Sequence, residues 1–137
     1  MNVYVDSSVL IRLLFGQPNA FARWPQVTQA ISSELVRVEC LRTIDRTAIR
    51  GQLTDETVAQ YRSAALDLFD RLTLVPISSV ILGRAAEPFP TSLGTLDAIH
   101  LATALQASPE FDPLLVATHD GELAMAARSV GLEVEGA

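Results

Sequence analysis

The chain has 137 residues, 49% of them apolar, with a net charge of −6 and a single cysteine. That length and apolar content imply one domain over residues 1–137 with a buried core, and they exclude a disordered chain. No apolar run approaches the roughly 20 residues of a membrane-spanning helix, Met1–Asp6 lacks the basic start and apolar stretch of a secretory signal, and Cys40 alone excludes an internal disulfide or a multi-cysteine metal site. The expected setting is cytoplasmic, with no membrane partner. The negative charge argues against broad electrostatic adhesion to nucleic acid. It does not exclude a phosphate substrate, because bound divalent cations invert the local field.

Taken in order, Val3-Tyr4-Val5 is a short apolar strand ending at Asp6. Ser7-Ser8 then lead into Val9, Leu10, Leu13 and Leu14, at helical spacing. Gly16-Gln17-Pro18-Asn19 breaks that helix. Phe21 to Ala30 is expected to start another, with Pro25 in its first turns, and Ala30-Ile31-Ser32 to form a very short strand. Ser33 caps a helix from Glu34 to Arg50, with Leu35, Val38, Leu41, Ile44 and Ala48 as its inner face and Glu39 at the border. Cys40 reads as a small buried helix residue. Glu34 and Glu39 point about 140° apart and cannot share a site. After Gly51, a helix opening at Thr54 runs to Arg71 on the face of Val58, Tyr61, Ala65, Leu68 and Leu72. Leu72 to Pro76 is a strand, and Ser78 or Ser79 caps a short helix through Ala86.

The loop from Pro88 to Gly94 feeds a helix from Thr95 to Ala107 that carries Asp97 in its first turn. Leu101 and Leu105 follow on the face of that acid, so its charge needs a helix terminus, a cation or a metal ion to offset burial. Pro113 to Ala117 is a buried strand, Thr118-His119-Asp120-Gly121 repeats the strand–acid–helix arrangement of the opening residues, a helix runs from Glu122 to Val130, and Leu132-Glu133-Val134 is the last strand. Strands alternating with helices imply an α/β fold: a three-layer α/β/α sandwich around a mainly parallel sheet. Sites in such sheets form beyond the carboxyl ends of the strands, where the strand order reverses.

Asp6 and Asp120 stand at such strand ends, Asp97 begins a helix, and Glu39 is available from a flanking one. One such acid is ordinarily a helix cap; together they form a candidate cluster. Clustered carboxylates repel and raise one another's pKa, and a hard cation relieves this, with Mg²⁺ or Mn²⁺ favoured over zinc by an all-oxygen donor set. Such ions serve in-line phosphoryl displacement. The residues therefore point to metal-dependent phosphoryl chemistry. His100 reads as a packed or hydrogen-bonded histidine and His119 as a residue of the rim, neither in a zinc-like pair. The alternative is a catalytically silent interaction module whose acids are caps and ion pairs.

Val5-Asp6-Ser7-Ser8, Glu39 followed by Arg42, Leu96-Asp97-Ala98-Ile99-His100-Leu101-Ala102-Thr103-Ala104 and Thr118-His119-Asp120 resemble the motifs of the PIN-domain family, in order and over the whole chain. The chain is similar in particular to the small bacterial VapC toxins of type II toxin–antitoxin systems. The resemblance implies a PIN-like fold and a Mg²⁺- or Mn²⁺-dependent endoribonuclease in which Asp6, Glu39, Asp97 and Asp120 hold metal and activate water, leaving 5′-phosphate and 3′-hydroxyl ends. It implies supporting roles for Ser8 and Thr118, and Arg42 is named with them as a supporting residue. It further implies a homodimer, an RNA substrate and a VapB-like antitoxin that alone contacts DNA. Arg12, Arg42 and Arg46 are the candidates for RNA recognition, and Phe15, Phe21 and Trp24 for part of an antitoxin groove. A PIN nuclease of RNA processing outside toxin–antitoxin systems is a further alternative.

Overall fold

Met1 to Gly136 are described by the computed structural model of the chain. Strands Asn2–Val5 (β1), Gln29–Ser33 (β2), Thr73–Val75 (β3), Leu114–Ala117 (β4) and Glu133–Glu135 (β5) form one sheet in the order β3-β2-β1-β4-β5. Every neighbouring pair is parallel, so the sheet expected to be mainly parallel is entirely so among the described residues. The α-helices are Ser7–Leu14 (α1), Leu35–Ile49 (α2), Asp55–Asp70 (α3), Ser79–Ala85 (α4), Thr95–Ala107 (α5) and Gly121–Ser129 (α6).

The central strand shows why the fold has three layers. Val3, Tyr4 and Val5 are all buried, as a parallel strand covered on both faces requires. Val3 and Val5 pack with Val9 and Leu10 of α1, Val36, Cys40 and Ile44 of α2, and Ala65 and Phe69 of α3. Tyr4 faces the other way, into a cluster with Ile31, Val116, Leu101 and Ala104 of α5 and Leu123 of α6. Chain order runs outward from β1 through β2 to β3, then returns to β1's other side for β4 and β5. The switch point therefore lies between β1 and β4, where Val5 pairs with Ala117.

Two expectations are corrected. Phe21 to Ala30 does not form a helix; only Trp24–Gln26 makes a single 3₁₀ turn with Pro25 near its start, and β2 begins at Gln29. Pro25 lacks a backbone donor, and the residues after it are taken up by pairing with β1, which leaves Ala30 to Ser33 buried. On α2 the inward stripe is Val36, Cys40 and Ile44, while Val38 is 56% exposed. The helix is thus rotated so that Cys40 rather than Val38 meets the sheet layer, and Cys40 is the buried helix residue expected. Glu39, read from the sequence at the border of the inner face, is partly buried next to Cys40.

The remaining boundaries follow local chemistry. Thr54 and Ser78 cap α3 and α4 through their hydroxyls, as read from the sequence. Gly131, at φ 90°, turns the chain from α6 into β5. Among the described residues no helix is long and apolar enough to cross a membrane.

Phe69 is 2% exposed at the centre of the α1–α3 layer, with the Arg37 guanidinium 5.6 Å from its ring centroid. Replacing it with alanine is expected to cost about 3–5 kcal/mol, read as a lower urea midpoint, whereas Ile49→Ser, at a position 77% exposed, should change stability by less than about 0.5 kcal/mol.

Candidate active site

At the carboxyl end of β1 the chain buries an acid. Asp6 is 3% exposed, and an ionised carboxylate there requires donors. Its Oδ1 accepts the Val9 N–H at 3.3 Å and the Ser8 hydroxyl at 2.6 Å, and its Oδ2 accepts the Thr118 hydroxyl at 2.8 Å. Asp6 is thus the N-cap of α1, but it is also tied to the end of β4, which a cap does not need. The same hydroxyls hold the opposite turn: Ser8 Oγ accepts the His119 N–H at 2.9 Å and Thr118 Oγ1 accepts the Asp120 N–H at 3.0 Å. Ser8 and Thr118 therefore stitch the two strand ends together across the switch point.

Asp120 caps α6, its Oδ1 accepting the Leu123 N–H at 2.9 Å. Asp97 differs from both. It lies in the first turn of α5, and among the described residues its carboxylate accepts no hydrogen bond from the protein. Burial pushes its pKa up to about 6, and the charges of Asp120, Asp6 and Glu39 push in the same direction, against a smaller opposing influence of His100. The four acids named from the sequence thus share one electrostatic neighbourhood. Its reach extends to Cys40, whose thiol is raised to about 12 by burial and then by Glu39 and Asp6, and to Tyr4, raised well above its ordinary value by burial and then by Asp6.

Glu39 arrives from α2, half-buried. It does not pair with Arg42. Its Oε1 lies 2.7 Å from Nε2 of His100, and Nδ1 of His100 lies 2.8 Å from the Tyr4 hydroxyl. His100 is 1% exposed and is the hydrogen-bonded histidine expected. Tyr4 was not singled out by sequence reading, although a phenol on a strand buried on both faces needs a partner for its hydroxyl.

Other candidates lie apart from the acids. Arg42 is exposed on α2, lining a groove with Arg37, Leu41 and Arg62, and forms no ion pair with the four acids among the described residues. Arg12 donates to the Asn19 carbonyl and Arg46 to the Thr43 hydroxyl. Phe21 is core and Phe15 stacks edge-on against Tyr61 at 4.8 Å, so neither is a free anchor; Trp24 is half-buried against the same core. The His119 ring is half-buried, with Nδ1 2.9 Å from the Gly136 carbonyl.

Carboxylates with oxygens uncommitted to the protein are Asp97, Asp120 and Glu39. Their chemistry fits a hard divalent cation. As they stand, no group of three or more His, Cys, Asp or Glu side chains among the described residues is close enough to hold one metal ion.

In metal-free protein, NMR of the Asp97 carboxyl should give a midpoint near 6. The folded state holds this proton to higher pH than the unfolded chain does, so the associated stability is complete below about pH 4 and is lost as pH rises through about 6. Asp97→Asn should accordingly raise the metal-free melting temperature at pH 7.5, by the equivalent of about 1 kcal/mol once solvent screening is allowed for. An unchanged or lower melting temperature would count against mutual repulsion.

Residues 3–128 match the family model described as "PIN domain". Among curated proteins, Ribonuclease VapC47 of Mycobacterium tuberculosis is 34% identical over 136 residues, covering 94% of this chain and 92% of the relative. Ribonuclease VapC46 of the same species is 30% identical over 135 residues, covering 96% and 95%. Among solved structures, VapBC2 from Rickettsia felis, bound to a DNA fragment from their promoter, aligns over 98% of both chains with a TM-score of 0.68 at 12% identity, a likeness of fold. With the three-layer parallel architecture and the acids at its switch point, these matches place the chain in the PIN-domain family, among its VapC-type members.

Proposed function

We propose that the chain is a Mg²⁺- or Mn²⁺-dependent endoribonuclease, the toxin of a VapBC-type pair that acts in the cytoplasm, inhibits translation by RNA cleavage and is neutralised by a VapB-like antitoxin. The observation that carries this reading is Asp97. As a silent module the fold would still use Asp6 and Asp120 as helix caps, but among the described residues Asp97 accepts no hydrogen bond from the protein, and three other acids raise its pKa. A carboxylate placed at such cost, where the sheet order reverses, calls for a cationic ligand. The names of the relatives, both ribonucleases, supply the substrate class. The pairing of VapB with VapC in the structural neighbour's name supports the antitoxin partner. Homodimer formation and contact with DNA only through the antitoxin belong to the same reading.

In this reading Asp97, Asp6, Glu39 and Asp120 hold the cation. A cation bound there would supply a more acidic water molecule and would offset negative charge at the phosphodiester. The protein's own contribution is orientation. Ser8 and Thr118 fix both oxygens of Asp6, and Asp120 is fixed by the first turn of α6. The N-termini of α1 and α6 both begin at this crevice and bring partial positive charge toward a phosphate. Water adds to phosphorus and the 3′ oxygen departs with a proton, leaving 5′-phosphate and 3′-hydroxyl ends.

The test is incubation of purified, partner-free protein with a mixed RNA pool, with Mg²⁺ or Mn²⁺ and with chelator, beside Asp97→Asn. Metal-dependent cleavage is expected, falling to the chelator background in the variant, with 5′-phosphates at the mapped ends. Cutting that persists in chelator or in Asp97→Asn would overturn the assignment, as would absence of both cutting and metal binding.

A further inference from the structure

Glu39 is the one acid of the four that reaches the crevice from the sheet layer's outer helix α2 rather than from a strand end or from α5. A glutamate has three rotatable side-chain bonds, so an orientation that serves a site has to be imposed on it. The imposing contact is visible. His100 Nε2 stands 2.7 Å from Glu39 Oε1, and His100 Nδ1 stands 2.8 Å from the Tyr4 hydroxyl. Both Tyr4 and His100 are 1% exposed, and their rings meet edge-on at 73° with centroids 6.0 Å apart. Tyr4 precedes Asp6 by two residues on β1, and His100 follows Asp97 by three on α5. One hydrogen-bonded line thus joins the three elements that carry Asp6, Asp97 and Glu39.

The donors follow from chemistry. An ionised carboxylate only accepts, so the proton of this contact is on Nε2, and the Tyr4 hydroxyl, which both donates and accepts, pairs with Nδ1. We infer that His100, anchored by Tyr4, is a positioning residue that engages Oε1 of Glu39 and leaves Oε2 for the cation-binding crevice. The inference rests on the metal-dependent reading above. Outer partners of this kind orient metal-binding side chains, and their loss typically weakens metal affinity by about 10–100-fold. A histidine that merely satisfied core polar groups would leave that affinity unchanged.

Two measurements on the whole protein separate these roles. In the metal-free wild type, ¹⁵N-resolved NMR should show a slowly exchanging, downfield proton on His100 Nε2, and Glu39→Gln should move that proton upfield. Mn²⁺ titration followed by electron paramagnetic resonance should show about 10–100-fold weaker binding in His100→Leu, a smaller loss in His100→Gln, whose amide still donates to Glu39, and a measurable loss in Tyr4→Phe, which removes only a hydroxyl. In a Glu39→Gln background, His100→Leu should add no further loss. Cooperative thermal melts confirm that each variant is folded, and Tyr4→Phe and His100→Gln carry the comparison where His100→Leu does not fold. An Nε2 proton indifferent to Glu39→Gln overturns the positioning role, as does unchanged Mn²⁺ affinity in His100→Gln and Tyr4→Phe together, or a His100 effect that persists in full without Glu39. A wild type that shows the Glu39-dependent proton but binds no Mn²⁺ overturns the metal reading instead, while the orientation of Glu39 by His100 stands.

Discussion

A carboxyl group buried at the end of the central strand constrains everything around it. Asp6 at 3% exposure is tolerable only because Ser8, Val9 and Thr118 supply donors to both oxygens. Two of those donors come from the turn after β1 and one from the end of β4, 112 residues away. The requirement therefore fixes more than a side chain. It fixes which strands adjoin, the register that sets Val5 against Ala117, and the places where α1 and α6 begin. A chain that paired β1 with another strand on that side would bury the same charge without its third donor, at a cost of several kcal/mol for a charged group. The acid thus helps specify the topology that creates the crevice.

The same crevice concentrates negative potential that the fold does not discharge. Asp6 and Asp120 each accept hydrogen bonds and cap helices, and Glu39 has His100. Asp97 has no such compensation, and its carboxyl is pushed to about 6 by burial and by its acidic neighbours. This is a local conflict in an otherwise consistent structure, of the kind that marks a functional site. Stability is sacrificed where the proposed cation would recover it by binding the folded state alone. The raised values at Cys40 and Tyr4 trace the reach of the potential into the core beneath the site.

What the sequence made legible divides along the range of the interactions involved. The strand–acid–helix turns at Asp6 and Asp120 are local, so residue order alone revealed them, and the alternation of strands and helices revealed the sheet. Asp97 stood out because a charge on an apolar helix is anomalous. The rotation of α2 was misread because Val38 and Cys40 both fit a helical stripe, and only packing of the layer chose Cys40. The stretch from Phe21 to Ala30 was misread because its apolar residues suit a helix, whereas pairing with β1 claims its end. The Tyr4–His100–Glu39 line was invisible for a different reason: its contacts span 96 and 61 residues, and no periodicity encodes them. Arg42, three residues after Glu39, does not reach its carboxylate, which His100 from a distant part of the chain engages instead.

The net charge of −6 sits uneasily with an RNA substrate only if charge is treated as a single number. Fields from exposed groups fade within about 8 Å at physiological salt, so a phosphate at the crevice senses its immediate surroundings. Those are the first turns of α1 and α6, the acids with any cation they hold, and the side chains of α2. That helix carries Glu39 toward the site and Arg42 toward the groove that Arg37 and Arg62 also line. A bound cation would offset the charge of the acids at the crevice, while the rest of the acidic surface continues to repel polyanions that do not reach it. Metal occupancy would then govern substrate entry as well as the displacement itself, and the acidity of the chain would favour discrimination against non-productive RNA contacts rather than oppose the activity.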